Sequence, residues 1–262
     1  MGLPNQRSVR RWCDSIFVST LVACAVTWCP AAALAQAAPA AAPAPPPPAH
    51  EGSAEFAFLG TTGNASAQTI GLGGDLILRP EAWVVRNKAA FMRNKTDGVL
   101  TAEAFQYLIR GERRLTTRTA AFGQDTYFQD RFAGVAHRNS LLAGVAFKLI
   151  DRASHLLSVD GGLGYLNEER LTGDDVSSAT YAFAGAYRWK LSPTAEFSED
   201  ARYTATFDDA GDWRVDQTLA IVARLTSLFS LKASNSVRYS NTPVLGFKNT
   251  DTNTAIALVA KF

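Results

Sequence analysis

The last stretch of the chain, residues 251–262, constrains the fold most, because it alternates in residue type and ends on an aromatic side chain. Successive side chains of a β-strand point to opposite faces, so every second residue shares a face. One face of this strand would carry Ile256, Leu258, Ala260 and Phe262. A strand with one apolar face and one mixed face predicts a sheet that separates two environments.

The rest of the chain contains no alternative way of crossing a membrane. After residue 30, no run approaches the ~20 consecutive apolar residues that a membrane-spanning helix requires. The strands of a membrane barrel hide their apolar residues among polar ones and escape such a search. With 262 residues, of which 47% are hydrophobic, the chain is long enough for one large all-β domain.

Residues 1–35 have the pattern of a secretory signal peptide. Basic residues that include Arg10 and Arg11 precede an apolar run, and small residues then predict cleavage after Ala35. Two alternatives remain open. The segment that ends at Cys24 resembles a lipoprotein box, and the two consecutive arginines resemble a twin-arginine signal.

Residues 36–52 follow as a linker rich in Ala and Pro, a composition that favours extended conformations and cannot pack a core. The cysteines, Cys13, Cys24 and Cys29, all precede the cleavage site, so the mature chain has none. Removal of the signal peptide also leaves the chain formally neutral, and the charge balance therefore gives no reason to expect a nucleic-acid partner.

From residue 53 onward, alternating segments are separated by turn signals, and the connections between them are alternately short and long. We predict a single transmembrane antiparallel β-barrel over residues 53–262, with about twelve strands and both termini in the periplasm. The predicted strands are 53–60, 65–79, 82–95, 100–115, 119–130, 138–150, 156–169, 179–190, 195–206, 213–225, 229–240 and 251–262.

Aromatic residues gather near both ends of the apolar faces. Those predicted near the periplasmic end are Trp83, Phe122, Phe147, Trp189, Phe197 and Phe262. Those predicted near the outer end are Phe58, Phe91, Phe128, Tyr165, Tyr181, Phe207, Trp213 and Tyr239. Two aromatic belts around an apolar band match the two interfaces of a bilayer, so the apolar faces are predicted to point outward. The alternative is a soluble periplasmic β-protein with those faces inside.

The opposite faces are rich in charge and are predicted to line the lumen. The predicted lumen residues are Arg86, Lys88, Arg110, Glu112, Arg114, Asp160, Arg188, Arg202, Arg214, Asp216, Arg224, Lys232 and Arg238. Basic residues outnumber acidic ones, so a water-filled lumen would favour anions. If the side chains instead pair across the lumen, they close it. We expect a narrow or occluded lumen, and no long loop is an obvious constriction.

Some residues fit this pattern badly. Asn87, Gln124 and Glu199 come out facing lipid at mid-strand, whereas Asp125 comes out facing the lumen. A bulge that shifts the register, or a contact with another protein, would explain Glu199. The glycines at 161, 162 and 164 indicate either a tight bend or a bulky neighbour.

The only catalytic arrangement that the sequence offers lies near one outer loop, where His137 precedes Ser140 and follows Asp130. A lipid-modifying enzyme at the outer leaflet is therefore an alternative function, although we expect no enzyme. No cofactor or metal motif is found. Acidic loop residues could bind calcium or magnesium against lipopolysaccharide, namely Asp174, Asp175, Asp208, Asp209 and Asp212.

Three segments, Gly60 to Asn64, Asp130 to Phe132 and Gly246 to Thr252, occur in the order seen in one family. The chain resembles the YdiY-like salt-induced outer-membrane proteins, domain of unknown function 481, over residues 53–262. The resemblance implies an outer-membrane location in a Gram-negative bacterium and a link to osmotic or salt stress, without assigning any catalytic residue.

A terminal aromatic residue such as Phe262 resembles the signal by which the barrel-assembly machinery recognises outer-membrane barrels. We therefore expect a monomeric barrel in contact with outer-membrane lipid and lipopolysaccharide, with no nucleic-acid partner. Its expected role is envelope structure or a narrow anion-preferring pore.

Overall fold

The computed structural model describes residues 48–61 and 66–262, which form a closed antiparallel β-barrel. Each strand pairs with the next along the chain, and the last pairs with the first. The strands are β1 His50–Thr61, β2 Ala67–Leu78, β3 Trp83–Thr96, β4 Val99–Arg114, β5 Thr119–Asp130, β6 Val135–Asp151, β7 His155–Arg170, β8 Val176–Lys190, β9 Ala195–Thr206, β10 Trp213–Arg224, β11 Phe229–Ser240 and β12 Thr250–Lys261.

The predicted antiparallel barrel of twelve strands is confirmed, and every predicted strand lies within about three residues of an observed one at each end. β1 begins at His50, so residues 50–52 belong to the barrel rather than to the predicted linker. The predicted signal peptide and the linker up to residue 47 lie outside the described residues. No described segment forms an apolar helix of membrane-spanning length.

Large apolar side chains cover the outside of the barrel. Leu163 pairs with Tyr181 on one shared face, and the exposed fractions of Leu163, Phe183 and Ile256 are 65%, 61% and 66%. A soluble barrel would bury these side chains, because exposed apolar surface of this extent is unfavourable in water. The exterior is instead complementary to the hydrocarbon of a bilayer.

Aromatic residues mark both rims of this exterior. The rim beside the start of β1 and the end of β12 is called the termini end, and the opposite rim is called the loop end. Tyr203, Trp213 and Tyr239 stack at the loop end, with ring centroids 6.1 and 5.0 Å apart. At the termini end, His155 stacks on Trp189 with centroids 5.6 Å apart. This distribution places the rims where a bilayer has its interfaces.

The predicted orientation of β5 is wrong. Gln124 pairs with Arg110 and shares its inward face, so Phe122 and Phe128 also point into the lumen rather than into the aromatic belts. Asp125 lies on the outer face instead of in the lumen, and its carboxylate accepts a hydrogen bond of 2.9 Å from Asn139 Nδ2. Hydrophobicity alone assigned the apolar face of β5 to lipid. That assignment is wrong because part of the lumen is itself apolar.

The other two misfits do face outward, and each has a polar partner on a neighbouring strand. Tyr107 donates a hydrogen bond of 2.8 Å to Asn87 Oδ1, and Gln217 Nε2 donates one of 2.8 Å to Glu199 Oε1. The register of β9 is unbroken against both neighbouring strands. A bulge therefore does not account for Glu199, whereas pairing with Gln217 reduces the cost of its outward position.

The glycines of β7 allow a close approach of β6 and leave room for a bulky neighbour, and only the second of these was predicted. A Cβ atom on Gly162 would lie 2.5 Å from Ala143 O, and one on Gly164 would lie 2.1 Å from Leu141 O. β6 and β7 can approach this closely only because the two positions lack side chains. Gly161 instead accommodates the ring of Phe183, which would lie 3.2 Å from an added Cβ.

We predict that Gly162→Val lowers the free energy of unfolding of the refolded barrel by about 1–3 kcal/mol, because β6 and β7 must move apart. Urea titration followed by tryptophan fluorescence measures the change. Gly123→Val is the matched control, since an added Cβ there meets nothing within 4 Å. Equal stability of the two variants would contradict the close approach of β6 and β7.

Candidate functional site

Apart from Asp125, the charged residues named above as predicted lumen residues all lie on the inner face of the barrel. Their strand pairing establishes this, since Arg86 lies opposite Arg110, and Arg202 and Arg238 both lie opposite Asp216. The same register places the remainder inside, namely Lys88, Glu112, Arg114, Asp160, Arg188, Arg214, Arg224 and Lys232. Alternation along each strand was the signal that located them.

Several of these charges pair along the barrel wall. Arg86 pairs with Asp75 on the adjacent β2, and Arg188 Nη2 lies 2.8 Å from Asp200 on the adjacent β9. Lys232 on β11 reaches past β12 and across its seam with β1, where Lys232 Nζ lies 2.8 Å from Glu55 Oε1. Such pairs neutralise charge locally and leave the centre of the lumen free.

Other side chains cross the lumen and join strands that are not neighbours. Arg110 on β4 lies 2.8 Å from Asp160 on β7. Arg202 on β9 donates to Gln124 on β5 at 3.3 Å, and Arg238 on β11 donates to Gln106 on β4 at 3.2 Å. The lumen is therefore narrowed by arginines rather than lined by an uninterrupted ring of free charge.

The lumen is packed on the side formed by β5–β8. Phe122, Leu142 and Ala182 form a buried apolar cluster there, and Gln124 is also buried. The guanidinium of Arg110 lies over the Phe122 ring at 3.8 Å, a geometry that favours a cation–π interaction. We call this region the packed side.

Inner side chains that remain exposed lie elsewhere, on β3, β10 and β12. They include Lys88, Ala90, Asp216 and Asn253. Within residues 48–61 and 66–262, no carboxylate lies within ion-pair distance of Lys88. Asp75 lies opposite Lys88 on β2, but its carboxylate is bound to Arg86, and Glu55 is bound to Lys232. Lys88 therefore places a positive charge without an ion-pair partner of its own at the middle of β3.

The termini end of the lumen adds further basic residues. Arg114, Lys190, Arg224 and Lys261 lie at the last inward positions of their strands, and all four are exposed. Arg224 Nη2 donates to the Pro193 carbonyl at 2.9 Å rather than to a carboxylate. A mouth of this composition attracts anions from solution.

A buried glutamate organises the loop end of the packed side. The side chain of Glu168 is 1% exposed and is paired with Arg138, with Arg170 at 2.7 Å and with Arg214 at 3.3 Å. Arg214 also lies 3.5 Å from Asp212. Burial of a carboxylate is tolerated here because three guanidinium groups surround it. Alternation from Asp160 puts Glu168 rather than Glu169 on the inner face, but it gave no indication that this carboxylate would be buried among three arginines.

The connection from β11 to β12, residues 241–249, folds across the loop end. Val244 and Phe247 pack against Phe128 and Val135, and Thr172 Oγ1 donates to the Leu245 carbonyl at 3.0 Å. This loop begins across the rim from the packed side, extends over the packed side and covers its loop end. The sequence analysis missed this constriction. Val244 and Phe247, two apolar residues within a loop, could have indicated it.

The loop also joins two of the segments used to recognise the family. A Cβ on Gly134, which closes the 3₁₀ turn Arg131–Ala133, would lie 2.7 Å from the Phe247 ring. Gly134 has a φ of 80°, a conformation that glycine adopts most readily. The third segment, Gly60 to Asn64, lies mostly outside the described residues.

The residues considered for catalysis are separated. Ser140 lies on the inner face with Leu166, whereas His137 is at the rim, 3.5 Å from Glu169. Asp130 is occupied as the cap of the 3₁₀ turn, accepting from the Phe132 and Ala133 amides at 3.0 and 3.1 Å. These positions do not form a triad.

The acidic loop residues also have local partners. Asp175 accepts from the Arg170 amide at 3.0 Å, Asp208 from Ser178 Oγ at 2.6 Å and Asp209 from the Gly211 amide at 2.7 Å. No set of three or more potential metal ligands comes together in the part of the chain that the structure describes.

Residues 54–262 match the family described as "Protein of unknown function, DUF481". The chain belongs to the DUF481 family. The resemblance inferred from the sequence is therefore confirmed. A relative that bears the name used above for the family resemblance is "Uncharacterized protein YdiY" of Escherichia coli (strain K12). It is 23% identical over 212 residues, which are 79% of this chain and 81% of the relative.

Two solved structures are similar to this DUF481 chain in fold. The NanC porin covers 81% of this chain and 98% of its own, at 8% identity and a TM-score of 0.45. The translocator domain of the autotransporter NalP from Neisseria meningitidis covers 83% of this chain and 89% of its own, at 12% identity and a TM-score of 0.47. At such identities the similarity concerns the fold alone.

We predict that Glu168→Gln lowers the free energy of unfolding by about 3–5 kcal/mol, because Arg138, Arg170 and Arg214 lose their shared counter-charge in a buried position. Urea titration of the refolded barrel measures the loss. Glu169→Gln is the control: its side chain is 55% exposed, and its removal should change stability by less than about 0.5 kcal/mol. If both variants unfold alike, the cluster does not hold the loop end together.

Proposed function

We propose that this DUF481 chain is an outer-membrane barrel of a Gram-negative bacterium that forms a narrow, anion-preferring pore. The apolar exterior and the two aromatic rims support the location. In this proposal the termini end faces the periplasm, and Phe262 lies there as the signal for barrel assembly. Its backbone is joined to Gly52 by hydrogen bonds of 2.8 and 2.9 Å.

The observation that carries the proposal is the position of Lys88. It projects into the lumen from the middle of β3, is exposed there, and has no carboxylate at ion-pair distance among the described residues. Arginines that cross the lumen narrow the passage, and in this proposal a permeating ion passes close to Lys88. A positive charge at such a point lowers the barrier for anions and raises it for cations.

The paired arginines contribute less to selectivity than their number suggests. Arg110 is bound to both Glu112 and Asp160, and Arg214 is buried against Glu168. Their charges are compensated, and their side chains mainly set the width of the passage. Unpaired cations at the termini end, such as Arg114 and Lys190, would concentrate anions at that mouth.

We predict that the refolded mature protein gives small anion-selective conductance steps in planar bilayers, and that Lys88→Glu lowers the anion-to-cation permeability ratio several-fold. The reversal potential in a salt gradient measures this ratio. The lowered ratio is expected because the substitution reverses a mid-strand lumen charge that has no ion-pair partner among the described residues.

Lys95→Glu is the matched control, because Lys95 lies on the same strand but pairs with Gln68 on the outer face. It should leave the selectivity unchanged. A folded barrel that passes no current would refute the pore, and unchanged selectivity of Lys88→Glu in an open channel would refute the role of Lys88.

A further inference from the structure

The seam between β1 and β12 is incomplete. The two strands are joined from Gly52, whose backbone is bonded to Phe262, only as far as Phe56 opposite Leu258. By contrast, β1 stays paired with β2 as far as Thr61, and β12 stays paired with β11 as far as Thr250. The loop-end halves of β1 and β12 are therefore formed strands that each lack one neighbour.

Continuation of the seam register would place Ala57 opposite Ala257 and Leu59 opposite Ala255, yet neither pair forms between these described residues. Leu59 shares the inward face of Thr69, and its exposed fraction is nevertheless 65%. A closed wall would cover part of this side chain. The barrel therefore has a gap in its side at the loop end.

The gap is lined by apolar and small residues. Phe58 and Ile256 flank it on the outer face, with exposed fractions of 60% and 66%. On the inner face lie Ala57, Gly71 and Ala255, in contrast to the charged residues of most other strands. Such a lining is complementary to a hydrocarbon chain rather than to an ion.

Uncovered strand edges are costly in hydrocarbon, but irregular backbone is tolerated where it adjoins a water-filled cavity. The exposed inner residue Asn253 lies on β12 within the unpaired half of that strand. Water in the lumen therefore reaches these edges. The gap joins an aqueous space that contains Lys88 to the apolar exterior of the barrel.

We propose that this gap is a lateral portal through which a molecule with an acyl chain and an anionic head moves between the lumen and the bilayer. The chain passes between Phe58 and Ile256, and the head remains in the lumen, where Lys88 supplies a free positive charge. The portal does not depend on ion conduction, so it is testable whether or not the barrel conducts.

A fluorescence experiment tests the opening. Leu59→Cys is introduced into the mature chain, which has no cysteine of its own, labelled with bimane and refolded into vesicles of brominated phosphatidylcholine. Because bromine quenches on contact, the inward-facing label should be quenched several-fold more strongly than in unbrominated vesicles. Ser198→Cys is the control, since Ser198 is inward-facing and paired on both sides. Equal quenching at both positions would overturn the portal.

Disulfide formation tests the seam without any lipid probe. The pair Ala54→Cys and Ala260→Cys lies in the paired part of the seam and should cross-link readily under mild oxidation. The pair Ala57→Cys and Ala257→Cys would face each other only if the seam closed, and it should cross-link much more slowly. Equal rates in the two pairs would show a closed wall and overturn the proposal.

The class of molecule is tested with the same label at position 59. Brominated stearate should quench it more strongly than brominated methyl stearate, and Lys88→Gln should remove the difference. Quenching that is equal for the acid and the ester would exclude recognition of an anionic head. An unchanged difference between the acid and the ester in Lys88→Gln would overturn the role of Lys88 in holding the head, whatever the conductance of this variant.

Discussion

The fold depends on the requirement that backbone polar groups in a bilayer find hydrogen-bond partners within the protein. An antiparallel sheet meets this requirement only when its two edges join, as β1 and β12 do between Ser53 and Phe56. Closure fixes the register of every strand, and the register fixes which residues face lipid and which face the lumen. The position of Arg110 inside and of Ile109 outside follows from the same ladder.

The sequence predicted the strands well because alternation and turn residues are local signals. β9, for example, runs from Ala195 to Thr206, the limits predicted for it. It failed for β5, since Phe122 and Phe128 were assigned to lipid on the assumption that apolar residues face outward. In the barrel they are buried in two apolar clusters on the inner face, and only pairing with β4 reveals this. Periodicity shows which residues share a face of a strand, but it does not show whether that face points to lipid or to the lumen.

The candidate site could be predicted only as a list of inward residues. Which of them remain free depends on distances across the barrel, such as that between Arg110 on β4 and Asp160 on β7, and no local pattern encodes these. Lys88 and Lys232 looked equivalent in the sequence, yet Glu55 compensates only the second. The incomplete seam was equally hidden, because β1 and β12 each have normal strand composition over their unpaired halves.

The packing of the loop 241–249 on the turn after β5 has a consequence for how these sequences can change. Phe247 occupies the space that a side chain at Gly134 would need, and Val244 lies equally close. A larger residue at position 134 is compatible with the barrel only if residues 244 and 247 become smaller. These distant positions should therefore covary among relatives, and a relative that lost the glycine should also have lost the cover over the packed side.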